Sequence, residues 1–458
     1  MPVFVRTSTM PAPLAALSAW HFRPRAIDRM VPPWEHVEIL ERGSPAQPGS
    51  LAKMKIRVLG MAVDLEARHE DAQPDHGFTD VQVKGPFASW THRHSFMAHG
   101  ADQSVLEDRI SYELPGGMVG RMLGGATMQA RLERNFAWRH QRLRHDLTHH
   151  LPFGDERLSV AVSGTNGLVG SALVPFLTTG GHSVKRIVRK AREASEGDVL
   201  WDPDRNTFDA AALEGLDAVV HLAGAGIADQ SWSQERKRLI VDSRVGSTEA
   251  LARTLAGLRN PPKVLVCASA IGFYGSRSAE ETLTEQSKPG QGFLSETCLA
   301  WEAAADAARA AGIRVVHVRI GVVLAGQGGI LGKLFMPFKM GMGGRVGDGT
   351  QVMSWVDLDD LLGIMRFVMS RPVQGPVNAV SPEPVSNMLF SKLMGAVLKR
   401  PALAPLPAPV VQAMFGEMGR ELLLGGARVE PAVLKAAGFQ WVLPSLEPAL
   451  RFETGHYT

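Results

Sequence analysis

The sequence predicts an α/β fold built on a doubly wound parallel sheet, preceded by a separate α+β domain. Three observations carry that expectation. From Leu158 onward, short apolar stretches alternate with helix-length amphipathic segments, the pattern of a parallel sheet covered by helices on both faces. A glycine-rich loop stands between the first such stretch and the first helix. Residues 1–150 show period-two alternation instead and close on one long helical stripe. At 458 residues the chain exceeds a single core, and the divisions expected are 1–150, 158–400 and a small C-terminal domain at 401–458.

Composition narrows the classes. Hydrophobic content of 45% and charged content of 21% are those of a soluble globular protein. A net charge of +3 is too mild to argue for a nucleic-acid partner. Cys267 and Cys298 are too few for a disulfide framework and fit a reducing compartment. The N-terminus lacks a basic segment followed by an unbroken apolar core, and no run of ~18 apolar residues suggests a membrane span. The expected location is the cytoplasm.

In residues 1–150, "MKIRVLGMAVDLEARHE" and "SWTHRHSF" read as antiparallel strands. The strand period puts Trp90, His92, His94 and Phe96 on one face. His-x-His on a strand is able to bind a metal, yet no acidic or third histidine partner is identifiable in the sequence. The aromatic neighbours point to a cavity wall, so no metal site is expected. In "ARLERNFAWRHQRLRHDLTHH", Leu132, Phe136, Leu143 and Leu147 form one apolar stripe, and the basic residues are read as a solvated face.

From Leu158, "LSVAVS" is a strand, "LVGSALVPFLTTGG" a helix stopped by glycines, and "SVKRIVR" a second strand. Between the first two lie Gly164, Thr165, Asn166 and Gly167, and the helix opens with Leu168, Val169 and Gly170. Glycines at that spacing let the backbone turn tightly and approach a diphosphate at the helix N-terminus, so these residues are expected to hold a dinucleotide. At the end of the second strand a reader of the unphosphorylated ribose places an acid. This chain places Arg189 and Lys190 there, with no acid until Glu193. A guanidinium suits a 2′-phosphate, so NADP(H) is expected over NAD(H). "LDAVVHLAG" and "PKVLVCASA" continue the sheet. The Gly- and Pro-rich region from about 325 is expected to cap the carboxyl ends of the strands.

These residues resemble the extended short-chain dehydrogenase/reductase superfamily, a Rossmann-fold group. "HLAGAG" resembles the motif closing the fourth strand beside the cofactor, which adds Leu222, Ala223 and Gly224 to the expected contacts. "SAIGFYG" resembles the end of the fifth strand, and "SWVDLDDL" the later return to the sheet. "WDPDRNTFD", "QSWSQERKRLIVDSRVGST", "RIGVVLAGQGGIL" and "EPAVLKAAGFQW" resemble one atypical, epimerase-like family that ends in a small domain of unknown function. Residues 1–150 resemble the polyketide cyclase/START-like (SRPBCC) helix-grip domains, in "HFRPRAIDRMVPPWEHVEIL", "VKGPFASWTHRHSF" and "DRISYELPGG". That resemblance implies a sheet wrapped on a long helix and a small apolar ligand.

The usual proton-transfer pair of the superfamily is missing. The only tyrosines are Tyr112, Tyr274 and Tyr457, and none has a lysine four residues on. In "GFLSETCLAWEAAADAARAAG", Phe293 or Leu294 takes the tyrosine's place and Thr297 or Cys298 the lysine's. Ser269 and Tyr274 are the substitute catalytic candidates, and Cys298 is read as a buried small residue. Lys237 and Arg244 are read as a solvated helix face, and Asp357, Asp359 and Asp360 as holders of a loop. The activity expected is NADP(H)-dependent hydride transfer on an unidentified small carbonyl or alcohol. The alternatives are a non-catalytic NADP(H) sensor and a sugar-nucleotide epimerase.

Overall fold

A computed structural model describes residues 1–58, 60–190, 194–202 and 205–457. Glu193, and Pro203 and Asp204 of the "WDPDRNTFD" stretch, lie outside the described residues. The chain forms two compact units. One is Met1–Glu156 with Pro175–Gly181 and Thr454–Thr458, and the other Arg157–Val174 with His182–Glu453. No helix among the described residues is long and apolar enough to cross a membrane.

The first unit opens with β1 (Val3–Met10), α1 (Leu14–Phe22) and the short α2 (Ala26–Arg29). A meander follows through β2 (Val37–Glu41), β3 (Leu51–Val58), β4 (Met61–Gln73), β5 (Gly77–Lys84), β6 (Ser89–Ala98) and β7 (Ser104–Glu113). The sheet is antiparallel throughout, and β1 returns to pair with β7. α3 (Gly117–His150) then runs 34 residues. Its stripe of Leu132, Phe136, Leu143 and Leu147 is buried as expected, packed against Phe4, Phe96, Leu106 and Ile110. Burying each such side chain contributes roughly 1.5–3 kcal/mol. The opposite face departs from the expectation of a solvated surface. Arg142, His145, Asp146 and His149 are buried, and Asp146 forms an ion pair with the equally buried Arg29 of α2. Arg29 comes from the element inserted between β1 and β2, a partner that α3's own sequence does not reveal.

The second unit contains the parallel sheet. Its elements are β8 (Ser159–Ser163), α4 (Leu168–Thr179), β9 (Ser183–Val188), β10 (Val199–Asp202), β11 (Thr207–Phe208), α5 (Ala210–Leu213) and β12 (Ala218–His221). They continue with α6 (Gln234–Ala256), β13 (Val264–Ala270), β14 (Thr282–Leu283), α7 (Phe293–Ala303), α8 (Asp306–Ala310) and β15 (Arg314–Ile320). Strand order is β11-β10-β9-β8-β12-β13-β15, with one further strand beyond β15. All neighbours are parallel except β10 and β11. β8, β12 and β13 are almost wholly buried, which is why their sequences are continuous apolar runs rather than alternating ones.

The region from 325 is more regular than expected. After β16 (Val322–Ala325) and α9 (Gly329–Lys339) come β17 (Val352–Met353), β18 (Trp355–Asp357), the buried α10 (Leu358–Ser370) and β19 (Gly375–Ala379). β19 is the eighth strand of the main sheet. Residues 401–453 belong to the same compact unit. Its strand Arg428–Val429 pairs with β14. Asp357 caps α10 by accepting from the Asp359 amide, while Asp360 accepts from the amides of Val442 and Leu443, so these carboxylates do hold loops together.

Candidate dinucleotide site

The chain steps outward from β8 to β9 and later crosses back to β12 on the other side of β8. That reversal leaves a crevice at the carboxyl ends of β8 and β12, the usual ligand position of an open α/β sheet. The glycine loop fills its floor. Gly164 has φ +69°, and a Cβ there would stand 2.8 Å from the Leu222 carbonyl carbon. A Cβ on Gly170 would overlap the Gly164 carbonyl and lie 2.9 Å from Thr165 Cα. Both positions therefore require glycine, one for backbone conformation and close approach, the other for seating α4 under the loop. Gly167 donates its amide to the Gly164 carbonyl at 3.0 Å and lies exposed with Asn166. The first turn of α4, from Leu168 through Val169 to Gly170, presents helix N–H groups that have no intrahelical partner.

A buried relay sets the loop's height. The Leu222 amide donates to Ser163 Oγ at 3.0 Å, and that hydroxyl donates to His221 Nδ1 at 2.8 Å. His221 Nε2–H donates to Ser247 Oγ at 3.1 Å, whose hydroxyl donates to the Ser243 carbonyl at 2.8 Å. Burial pushes the His221 imidazole down to about 4, so it is neutral, with its proton on Nε2. The Ala225 amide donates to Ser243 Oγ. Leu222, Ala223 and Gly224 are thus fixed beside Gly164 by side chains from β8, β12 and α6.

Arg189 leaves the end of β9 exposed and forms no ion pair among the described residues. Above the crevice, Lys333 of α9 donates to the Ala228 carbonyl, and Gly328 lies against Leu168. The segment after β15 therefore covers the carboxyl ends of the strands, as expected.

The catalytic candidates are placed as follows. Tyr274 is fully buried; its hydroxyl donates to Asn378 Oδ1 at 2.7 Å and accepts from Arg319 at 2.9 Å. Burial pushes its pKa up. Ser269 donates to Glu302 Oε1 at 2.8 Å, and Glu302 forms a two-pronged ion pair with Arg319. Both hydroxyls use their protons inside the wall of the site. Leu294 and Cys298 flank Gly272 just past the end of β13. Burial raises the Cys298 thiol to about 11, in keeping with a packing role.

Arg244 departs from expectation. It is 7% exposed, its guanidinium packs against Gly224, and it stacks 5.1 Å from the Trp301 ring. Its guanidinium donates to the Ile240 carbonyl at 3.1 Å, and it has no carboxylate partner among the described residues. Burial lowers its pKa. The signal was present in the sequence, because Ile240, Arg244, Ser247 and Leu251 share one buried helical stripe. Lys237 is also not merely solvated, since it pairs with Glu417 and lies 4.9 Å from the Phe293 ring.

Fold and loop together define a Rossmann-type, NAD(P)-binding protein. Residues 160–381 match the NAD dependent epimerase/dehydratase family, and 406–453 match a domain of unknown function, DUF1731. An epimerase family protein of Mycobacterium bovis is 40% identical over 64% of this chain and 97% of its own length. The chain belongs to this epimerase family. The crystal structure of the human epimerase family protein SDR39U1 with NADPH is 35% identical, with TM-score 0.59 over 65% of this chain and 99% of that one. The crystal structure of the nucleoside-diphosphate sugar epimerase from Corynebacterium glutamicum is 31% identical with TM-score 0.80, covering 99% of this chain and 90% of that one. The UDP-glucose 4-epimerase of Thermotoga maritima, 18% identical with TM-score 0.52 over 66% of this chain and 98% of that one, shares the fold.

Proposed function

We propose that the protein is a cytoplasmic NADP(H)-dependent oxidoreductase of this epimerase family, acting on a small carbonyl or alcohol. The observation that carries the reading is the exposed Arg189 at the end of β9, beside a glycine cradle that a Cβ would fill. The human relative's structure with NADPH supports it. The α4 amides and Gly164–Gly170 would hold the diphosphate, and Arg189 would pair with the 2′-phosphate through charge-assisted hydrogen bonds. Bound nicotinamide supplies hydride transfer. Arg244, a buried cation beside Gly224, would stabilise negative charge developing on the substrate oxygen. Trp232 and Phe293, packed edge to face at 4.9 Å, would exclude water from that side. Ser269 and Tyr274 then act as positioning residues, fixing the Glu302–Arg319 pair behind the site.

In this reading the first unit is a START-like helix-grip domain. Its seven-stranded antiparallel sheet packed on one long helix supports that assignment, with Phe78, Phe96 and Phe136 buried in its apolar interior.

Titration of the protein with NADPH and NADH, followed by nicotinamide fluorescence, tests the cofactor assignment. Arg189→Asp is expected to weaken NADPH by at least ~10-fold, as loss of one charge-assisted pair implies, and to leave NADH unchanged. Equal effects on both nucleotides would refute it. The engaged hydroxyls of Ser269 and Tyr274 favour a second reading, a non-catalytic NADP(H) sensor. Oxidation of bound NADPH by any member of a carbonyl panel excludes the sensor. Tight binding of uridine or guanosine diphosphate by calorimetry would point instead to a sugar-nucleotide epimerase.

A further inference from the structure

The face of the first unit's sheet turned toward α3 carries ionisable side chains that an apolar ligand chamber does not require. Strand register assembles them. β4 and β5 pair His69 with Asp80, β5 and β6 pair Asp80 with His92, and β6 and β7 pair His94 with Asp108. His92 and His94 are two residues apart, so both project to the same face. Asp108 Oδ1 lies 2.9 Å from His92 Nε2, and its Oδ2 accepts from His140 Nε2 of α3 at 2.7 Å. His94 Nε2 stands 3.4 Å from Asp80 Oδ2, and the other Asp80 oxygen meets His69 Nδ1.

Helix-on-sheet packing alone gives no reason for this. Two carboxylates in a chamber cost several kcal/mol each to desolvate, and apolar side chains of the same volume pack there at no such cost. The network is also incompletely satisfied. His94 Nδ1 is 2.7 Å from Asp108 Oδ1 but off the line of a hydrogen bond, and His94 Nδ1, His69 Nε2 and His140 Nδ1 are buried without a hydrogen-bond partner.

One ligand atom each from Asp80, His92 and His94 all lie within 4.8 Å of one another. A point within about 2.8 Å of all three therefore exists, against roughly 2.1 Å for zinc bound to imidazole, so side-chain shifts of under about 1 Å close the site. We propose that Asp80, His92 and His94 bind one divalent transition-metal ion, of the zinc or ferrous kind, in the interior of the first unit. Two imidazoles and a carboxylate are the donor set such ions take, whereas calcium and magnesium favour all-oxygen sites. Asp108, His69 and His140 orient the ligands from behind, as outer-shell carboxylates and imidazoles do. Three protein ligands leave the metal an open coordination position. In the sequence His-x-His was visible while its partners on β5, β7 and α3 were not, which is why no metal site was expected there.

The test uses the full-length protein, stripped with a chelator and titrated with ZnCl2 by calorimetry and with CoCl2 by visible absorption. Uptake is expected to saturate at one ion per chain, with ligand-field bands of a Co2+ site containing nitrogen ligands. Asp80→Asn and His92→Gln are expected to abolish both signals, Asp108→Asn to weaken affinity ~10- to 100-fold, and His99→Gln on an exposed loop to change neither. If the interior variants fail to fold, the Co2+ spectrum of the unaltered protein decides. Absence of ligand-field bands there, or metal uptake that survives both Asp80→Asn and His92→Gln, would overturn the proposal. A cluster held only by a proton on His94 predicts the first of these results.

Discussion

Replacing Gly170 by alanine perturbs the glycine loop without adding charge or polarity. The new Cβ would overlap the Gly164 carbonyl, with its carbon 2.8 Å away. Ordinary carbon–carbon contact begins near ~3.5 Å and the carbonyl oxygen lies closer still, so α4 and the loop must separate by about 1 Å. Strain of that kind costs roughly 1–3 kcal/mol of stability. The same shift moves the helix amides off the diphosphate, and one lost charge-assisted hydrogen bond, about 1.5–3 kcal/mol, weakens binding ~10- to 150-fold. Fluorescence titration with NADPH measures the affinity, and urea unfolding of the unliganded protein measures the strain. Gly246→Ala is the control: its Cβ would meet only the Asn206 side chain, at 3.8 Å, so it should stabilise α6 by ~0.5–1 kcal/mol and leave binding unchanged. Unaltered NADPH affinity in Gly170→Ala, with the protein folded, would refute the assignment of this loop to the diphosphate.

Glu302→Ala should destabilise the second unit by ~3–5 kcal/mol, because it strands the buried Arg319 guanidinium and removes the acceptor of Ser269. An unshifted urea midpoint would show that the pair contributes nothing. His221, held near about 4 by burial, takes up its proton later than the ~6.5 of an unfolded chain. Its contribution to stability is therefore complete above pH 6.5 and is lost as pH falls toward 4, by up to ~3 kcal/mol. An imidazole resonance of His221 titrating near 6.5 by NMR would contradict the buried relay from Ser163 to Ser247.

Much of the fold was legible because local periodicity reports burial wherever one partner surface dominates. The Leu132–Leu147 stripe, the apolar runs of β8, β12 and β13, and the spacing of Gly164, Gly167 and Gly170 each follow from the contacts of a single element. The basic face of α3 and the placement of Arg244 were misread for the complementary reason. Arg142, His145 and Asp146 are buried, Asp146 by pairing with Arg29 from a distant segment, and Arg244 sits on the buried stripe of α6 against Trp301 of α7.

By itself, the chain's order of residues determined two architectures, a glycine cradle at a helix N-terminus, and the loss of the Tyr–Lys pair, because these depend on composition and spacing within one segment. Tertiary structure alone decided that the hydroxyls of Ser269 and Tyr274 are engaged by Glu302 and Asn378, that the Arg244 guanidinium meets Gly224, and that Asp80, His92, His94 and Asp108 meet. Each of those meetings depends on strand register or helix docking between distant segments, and such pairings are set by the packing of the whole unit rather than by any local pattern.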